Sequence, residues 1–397
     1  MPSQQALIVI MLLTRKGRLV GIFAFVLIVL VIVEDPLFVP RRLRLEKWDA
    51  KGIPFYNRTG RVDEHPFSRG GFGINRCNQA GVNWYPSRED RWQINTPNFL
   101  IAGSPRSGTT ALSTLLSQHP RVRKPKVKEL NYFRRLPIED NLTISVKAAR
   151  DFLYSQDGFP VDLLKEHPKL VTYDATPSYL YWSRPILPQI LCVCPWVKVI
   201  VLIRDPVERF DSSYWYDYAR HGDKLRSMER VVQEELWVMQ EVAGLSPSLP
   251  AGSEQESEAW NKYQGLSTKG WLGKGLYDLQ IRRLREAFGF YGKSLTEDLL
   301  MLRFRDLHQG NLNSTYTRVL RFLDLPQTPT PDWYNQNEAS ARERIPLDPT
   351  VRKQLEDFYR PYNQRFNELM GEKWLSEYDN SDEADETTTT TSHATIA

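Results

Sequence analysis

Four short apolar runs recur along the middle and late parts of the chain: FLIA at 99–102, VTYDA at 171–175, VKVIVLI at 197–203 and LLMLRF at 299–304. Runs this continuous, with stretches of helical period between them, predict strands of a parallel sheet covered on both faces. Start signals and apolar spacing predict helices over Thr109–Ser117, Pro206–Ala219, Tyr277–Phe288, Thr315–Phe322 and Pro349–Met370. The last should break near Pro361, because an internal proline lacks the N–H and clashes with the preceding turn. Together these elements predict an α/β domain over 97–376.

Outside that domain the pattern changes. Leu19–Val33 is an uncharged apolar run of fifteen residues, somewhat shorter than the roughly 20 that span an ordinary bilayer and better suited to a thin secretory membrane. Arg15, Lys16 and Arg18 precede it and Glu34 and Asp35 follow, which puts 1–18 in the cytosol and the rest of the chain in the lumen. Arg41, Arg42 and Arg44 on the far side oppose that assignment. A cleaved signal peptide is the alternative, but no small-residue cleavage pattern follows Val33, so the run reads as a transmembrane signal anchor. Residues 34–96 are irregular and rich in Arg, Gly, Pro and Asn, as a stem would be. Residues 243–260 read as a long surface loop, and the acidic, threonine-rich segment 377–397 as a disordered tail.

Charge and cysteine content narrow the classes. With 52 basic and 48 acidic residues the net charge is only +4, so bulk electrostatics give no reason to expect a nucleic-acid partner. Three cysteines do not make a disulfide framework. One residue separates Cys192 from Cys194, which disfavours their pairing; Cys77 can reach one of them, and buried thiols are the expectation. The histidines show no metal-ligand spacing, so no metal is expected. Sequons at Asn57, Asn141 and Asn313 are glycosylation candidates if the domain is lumenal.

The sharpest chemical feature is Gly103-Ser104-Pro105-Arg106-Ser107-Gly108-Thr109-Thr110, directly after FLIA and opening a helix. The first N–H groups of a helix have no intrahelical partner and carry the positive end of its dipole, so an anion there gains several donors. The glycine spacing is that of the nucleotide P-loop, but Thr109 replaces the lysine that reaches the outer phosphates. Arg106 instead supplies a cation inside the loop. A second anion site is read at Arg204, which ends VKVIVLI, and at Ser212, about two helical turns on. Two anion sites at the C-terminal ends of parallel strands suit a nucleoside phosphorylated at both ends.

Pro105-Arg106-Ser107-Gly108-Thr109-Thr110 fits the P-[KR]-x-G-T-T loop of the sulfotransferases, and Arg204-Asp205-Pro206-Val207-Glu208-Arg209-Phe210-Asp211-Ser212-Ser213-Tyr214 fits their R-[DN]-P-x-x-R-x-x-S-x-Y segment. Lys128-Glu129-Leu130-Asn131-Tyr132-Phe133 resembles a segment of the carbohydrate branch, which includes heparan sulfate enzymes and enzymes of the chondroitin N-acetylgalactosamine 4-sulfate 6-O type. Asp174-Ala175-Thr176-Pro177-Ser178-Tyr179 resembles their E-K-[TS]-P-x-Y, with Asp174 for Glu and Ala175 where heparan-type members carry an active-site lysine. Gly275-Leu276-Tyr277, Met301–Asp306 and Asp357–Asn363 look like further landmarks, and Glu338–Arg344, with Arg342, is a weak match to the loop that closes over the nucleotide.

The resemblance, over about 98–370, implies a P-loop-like three-layer fold and a membrane-anchored Golgi enzyme of type II topology. It implies 3′-phosphoadenosine 5′-phosphosulfate as co-substrate, held by Pro105, Arg106, Ser107, Gly108, Thr109, Thr110, Arg204 and Ser212. The acceptor implied is a carbohydrate hydroxyl, with Glu129 as catalytic base and Lys128 assisting; a carboxylate within hydrogen-bond reach can take the proton that the attacking hydroxyl loses. Tyr214-Trp215-Tyr216-Asp217-Tyr218 offers aromatic faces for a sugar, though helical core packing accounts for much of such a cluster. The rival readings are a P-loop nucleotide kinase, a tyrosylprotein or small-molecule sulfotransferase, and a lumenal binding protein that has lost its chemistry. Oligomeric state is left open.

Overall fold

The computed structural model describes residues 97–135, 158–222, 225–267, 269–307, 311–331 and 345–378. The 19–33 run, the 34–96 stem, Asn57, Cys77, Asn141, Glu338–Arg344 and the segment beyond Tyr378 lie outside them. Among the described residues no helix is long and apolar enough to cross a membrane.

Strands β1 (Phe99–Gly103), β2 (Val122–Arg123), β3 (Val171–Asp174), β4 (Lys198–Ile203) and β5 (Leu299–Arg303) form one parallel sheet in the order β2-β3-β1-β4-β5. The four strands expected from apolar runs are present; β2, with two residues, is too short to leave a pattern. The helices are α1 (Thr109–Leu116), α2 (Tyr132–Arg135), α3 (Val161–Glu166), α4 (Ser178–Tyr181), α5 (Ser183–Val193), α6 (Pro206–His221), α7 (Met228–Trp237), α8 (Glu254–Leu266), α9 (Tyr277–Phe290), α10 (Leu312–Phe322) and α11 (Pro349–Met370).

Two apolar layers sandwich the sheet. On one face Phe99, Ile101, Ile200, Leu202 and Leu302 pack with Leu112 and Leu115 of α1 and Val319 and Leu320 of α10. On the other Leu100, Ala102, Val199, Val201 and Met301 pack with Leu187 and Ile190 of α5 and Ile281 and Leu284 of α9. Both faces being buried is why the strands read as unbroken apolar runs. A third cluster, with Trp260, Tyr263, Met239 and Tyr359 fully buried, ties α6, α7, α8 and α11 together.

Two expectations are corrected. Residues 243–260 are not loop throughout, because α8 starts at Glu254. The Ser253 side chain accepts from the Glu256 amide at 3.2 Å, and the Glu256 carboxylate accepts from the Gly252 amide at 2.7 Å. The first bond caps the helix and the second ties its first turn to the residue before the cap, and the buried anchor Trp260 follows. Helix α11 does not break at Pro361 but runs to Met370. Phe358 and Tyr359 before the proline and Tyr362 and Phe366 after it are all buried, and that packing outweighs one missing backbone hydrogen bond.

β1 lies between β3 and β4, so the chain departs to opposite sides from its two neighbours. A crevice at the C-terminal strand ends is expected at such a switch point. Gly103, Asp174 and Ile203 all end strands there.

Candidate active site

The loop after β1 delivers the 104–108 turn to the start of α1. Gly108 caps that helix with φ 85° and no side-chain cap, leaving the amides at the first turn to face outward without an intrahelical partner. A side chain there would be strained, and its Cβ would come 3.1 Å from Leu307 and Phe304. Arg106 also has a left-handed backbone, φ 67°, a conformation that non-glycine residues keep where the surroundings over-determine it. Ser107 and Thr109 are buried; Pro105, Gly108 and Thr110 are half-buried.

Helix α6 starts at the end of β4 because Asp205 caps it, accepting from Val207 N at 2.9 Å and Glu208 N at 3.0 Å, with Pro206 at the first helical position. Tyr378, from the far end of the domain, donates to the other Asp205 oxygen at 2.7 Å. Burial pushes the Asp205 carboxyl up, opposed by these donors.

Arg106, Arg204 and Ser212 meet. Arg106 Nε donates to Ser212 Oγ at 3.2 Å, and Arg204 Nη1 donates to the Arg106 carbonyl at 3.2 Å. The Arg204 guanidinium lies 4.5 Å from the Phe304 ring centroid and 3.9 Å from a Glu208 oxygen. Beneath the loop, buried Tyr277 of α9 places its hydroxyl 3.4 Å from Ser104 Oγ.

Tyr216, which the sequence groups with its aromatic neighbours, stands beside the loop. The Arg106 guanidinium sits 4.4 Å above its ring and Arg220 lies 3.9 Å from it. Tyr214 is buried, and Trp215 and Tyr218 pack partly buried on the core, so only part of the cluster faces the site. The signal was spacing: Ser212, Tyr216 and Arg220 recur every four residues on one helix face.

Lys128 and Glu129 stand on a second support. Their side chains pair at 2.7 Å and are partly exposed. Leu130, Tyr132 and Phe133 are buried just beyond them. The Asn131 amide donates to Thr176 Oγ1 at 3.1 Å, linking the turn to the end of β3. There Asp174, fully buried, accepts from Thr176 Oγ1 at 2.6 Å and Tyr179 OH at 2.7 Å. Burial pushes its carboxyl up to about 6; the hydrogen bonds oppose the shift and the Glu129 charge adds to it.

Asn313 is exposed in the first turn of α10, whereas Thr315 of the same sequon is buried and donates to the Asp306 carbonyl at 3.1 Å. Cys194 is buried.

The model of the sulfotransferase domain family matches residues 96–343. The chain belongs to that family. The sulfotransferase is 27% identical over 319 residues to carbohydrate sulfotransferase 15 of Homo sapiens, covering 70% of this chain and 54% of that protein. It is 24% identical over 291 residues to heparan sulfate glucosamine 3-O-sulfotransferase 5 of Mus musculus, covering 69% and 72%. Membrane-associated sulfotransferase kil1 of Dictyostelium discoideum is 28% identical over 183 residues, covering 45% and 34%. The chain thus spans about half the length of the carbohydrate sulfotransferase 15 proteins it matches.

Proposed function

We propose that this sulfotransferase moves a sulfuryl group from 3′-phosphoadenosine 5′-phosphosulfate to a carbohydrate hydroxyl. The observation that carries the reading is the junction of Arg106, Ser212 and Arg204, which gathers two guanidinium groups and a hydroxyl beside an uncapped helix start. That donor set suits a nucleotide with phosphate at both the 3′ and 5′ positions, since guanidinium forks and helix amides both favour phosphate oxygens. The bound donor supplies an activated sulfur whose leaving group is a phosphate.

In this reading the loop amides, Thr109 and Thr110 hold the 5′ end, and Arg204 and Ser212 the 3′-phosphate. Arg106 and Lys128 offset charge that develops on the leaving phosphate, where fixed donors contribute most. Glu129 takes the proton of the sugar hydroxyl. The carbohydrate acceptor is supported by the Lys128-Glu129 segment and by the acceptors named in the relatives. Anchoring through 19–33, with the domain in the Golgi lumen and Asn57, Asn141 and Asn313 open to glycosylation, is supported by the charge around the run and by a membrane-associated relative.

Calorimetric titration of the full chain tests the donor assignment. Adenosine 3′,5′-bisphosphate should bind more than tenfold tighter than adenosine 5′-phosphate or ATP, because each hydrogen bond to a charged group contributes about 1.5–3 kcal/mol. Equal affinities for the three would remove the reading, and tight binding of ATP alone would favour a kinase.

A further inference from the structure

The turn that carries Glu129 is held in an unfavourable backbone shape. Glu129 has φ 63° and Asn131 φ 55°, two non-glycine residues in the left-handed region within three positions. Asparagine visits that region readily, but a glutamate persists there only where surrounding contacts over-determine it. The Glu129 side chain is half exposed and its partner is Lys128, so the backbone turn is what sets where its carboxylate stands.

The over-determining contacts converge on one buried acid. Thr176 Oγ1 accepts from Asn131 N at 3.1 Å and donates to Asp174 Oδ1 at 2.6 Å. Asp174 also accepts from the Leu130 amide. Tyr179 donates to Asp174 Oδ2 at 2.7 Å while its oxygen accepts from Phe133 N at 3.4 Å. Asn131 Nδ2 closes the turn onto the Glu129 carbonyl at 2.7 Å. Three amides of the segment 130–133 are thereby fastened, directly or through one hydroxyl, to a carboxylate that has no exposure to water. A buried carboxylate is costly unless donors surround it, and here the donors come from the turn and from the two residues that link the turn to β3. Asp174 of β3 pairs in register with Leu100 of β1, so the network is rooted in the strand next to the one that leads to the Arg106 loop.

We propose that Asp174, Thr176 and Tyr179 are positioning residues that fix the Glu129 turn over the end of β3 and affect turnover only through Glu129. The proposal rests on Glu129 as the base, and the test separates the two. The full-length protein is assayed for transfer of radiolabelled sulfuryl to desulfated chondroitin or heparan chains, whichever the wild type labels. Thr176→Val removes both hydrogen bonds at nearly constant volume. It should lower kcat by about 10- to 100-fold, the scale of a misplaced catalytic group, with affinity for adenosine 3′,5′-bisphosphate unchanged. Thr176→Ser, which keeps the hydroxyl, should restore most of the rate. In a Glu129→Gln background the same Thr176→Val change should cost nothing more, since residues acting as one unit are not additive. Tyr179→Phe repeats the cycle at a second position if Thr176→Val lowers the yield of folded protein.

A Thr176→Val enzyme with the wild-type kcat, alongside a Glu129→Gln enzyme with a strongly reduced but measurable kcat, overturns the positioning role and leaves the base in place. An equal loss in both backgrounds also overturns it, because Thr176 would then act independently of Glu129. Full turnover by Glu129→Gln removes the base, and the positioning role with it.

Discussion

Arg106 Nε donates to Ser212 Oγ across 3.2 Å, joining a loop that follows β1 to a helix that follows β4. β1 and β4 are neighbours in the sheet, and this adjacency turns two separate sequence signals into one cluster.

Ser212→Ala should weaken donor binding. Loss of one hydrogen bond to a charged phosphate costs about 1.5–3 kcal/mol, or tenfold and more in affinity. Donor KM from initial rates is the check, with acceptor KM expected to stay put.

Arg106→Lys keeps the charge but loses the planar group that lies over Tyr216 and reaches Ser212. Since lysine cannot reproduce the fork or the stack, kcat/KM for the donor should fall at least about tenfold, roughly the loss of one charge-assisted contact. Steady-state kinetics at fixed ionic strength decide it.

Stability should decline as pH rises toward neutrality. Asp278 is fully buried beside Glu256 and 2.9 Å from Arg365, and burial pushes its carboxyl up to about 7; Arg365 opposes the shift. Asp174 is pushed up to about 6. Each acid binds its proton more tightly folded than unfolded, where a carboxyl titrates near about 3.9. The stabilising contribution is therefore complete below that value and is lost as pH rises through about 6 to 7. Thermal unfolding should show a higher midpoint at acidic than at alkaline pH, and Asp278→Asn should flatten the difference.

Gly103→Ala tests the close approach behind the loop. An added Cβ would sit 2.5 Å from Leu180 Cβ and 3.1 Å from the Pro177 carbonyl, and overpacking of this kind costs about 1–3 kcal/mol. Denaturant unfolding should register that loss.

Much of the fold was legible because β1, β3, β4 and β5 are buried on both sides and so carry uninterrupted apolar runs. Asp205-Pro206 marks the start of α6 through its cap. Helix α8 was hidden by a Ser, Pro and Glu composition typical of loops, although the Ser253–Glu256 spacing is a capping signal. The continuity of α11 through Pro361 depends on packing from distant elements, which no local rule encodes. At the site, the loop and the Arg204–Ser212 segment were each readable as motifs. Their contact was not, because it depends on strand order. The contact of Tyr216 with Arg106 was obscured by aromatic neighbours that face the core, and the hold of Asp174 on the Glu129 turn joins residues 45 positions apart, as between Asn131 and Thr176.

The most direct test of the central claim is transfer itself. The full-length protein, given radiolabelled 3′-phosphoadenosine 5′-phosphosulfate and a panel of desulfated polysaccharides and tyrosine-containing peptides, should place label on a polysaccharide and on no peptide. Disaccharide analysis would then locate the sulfated hydroxyl. Label on peptides alone, or on no acceptor while the donor binds, would contradict a carbohydrate sulfotransferase.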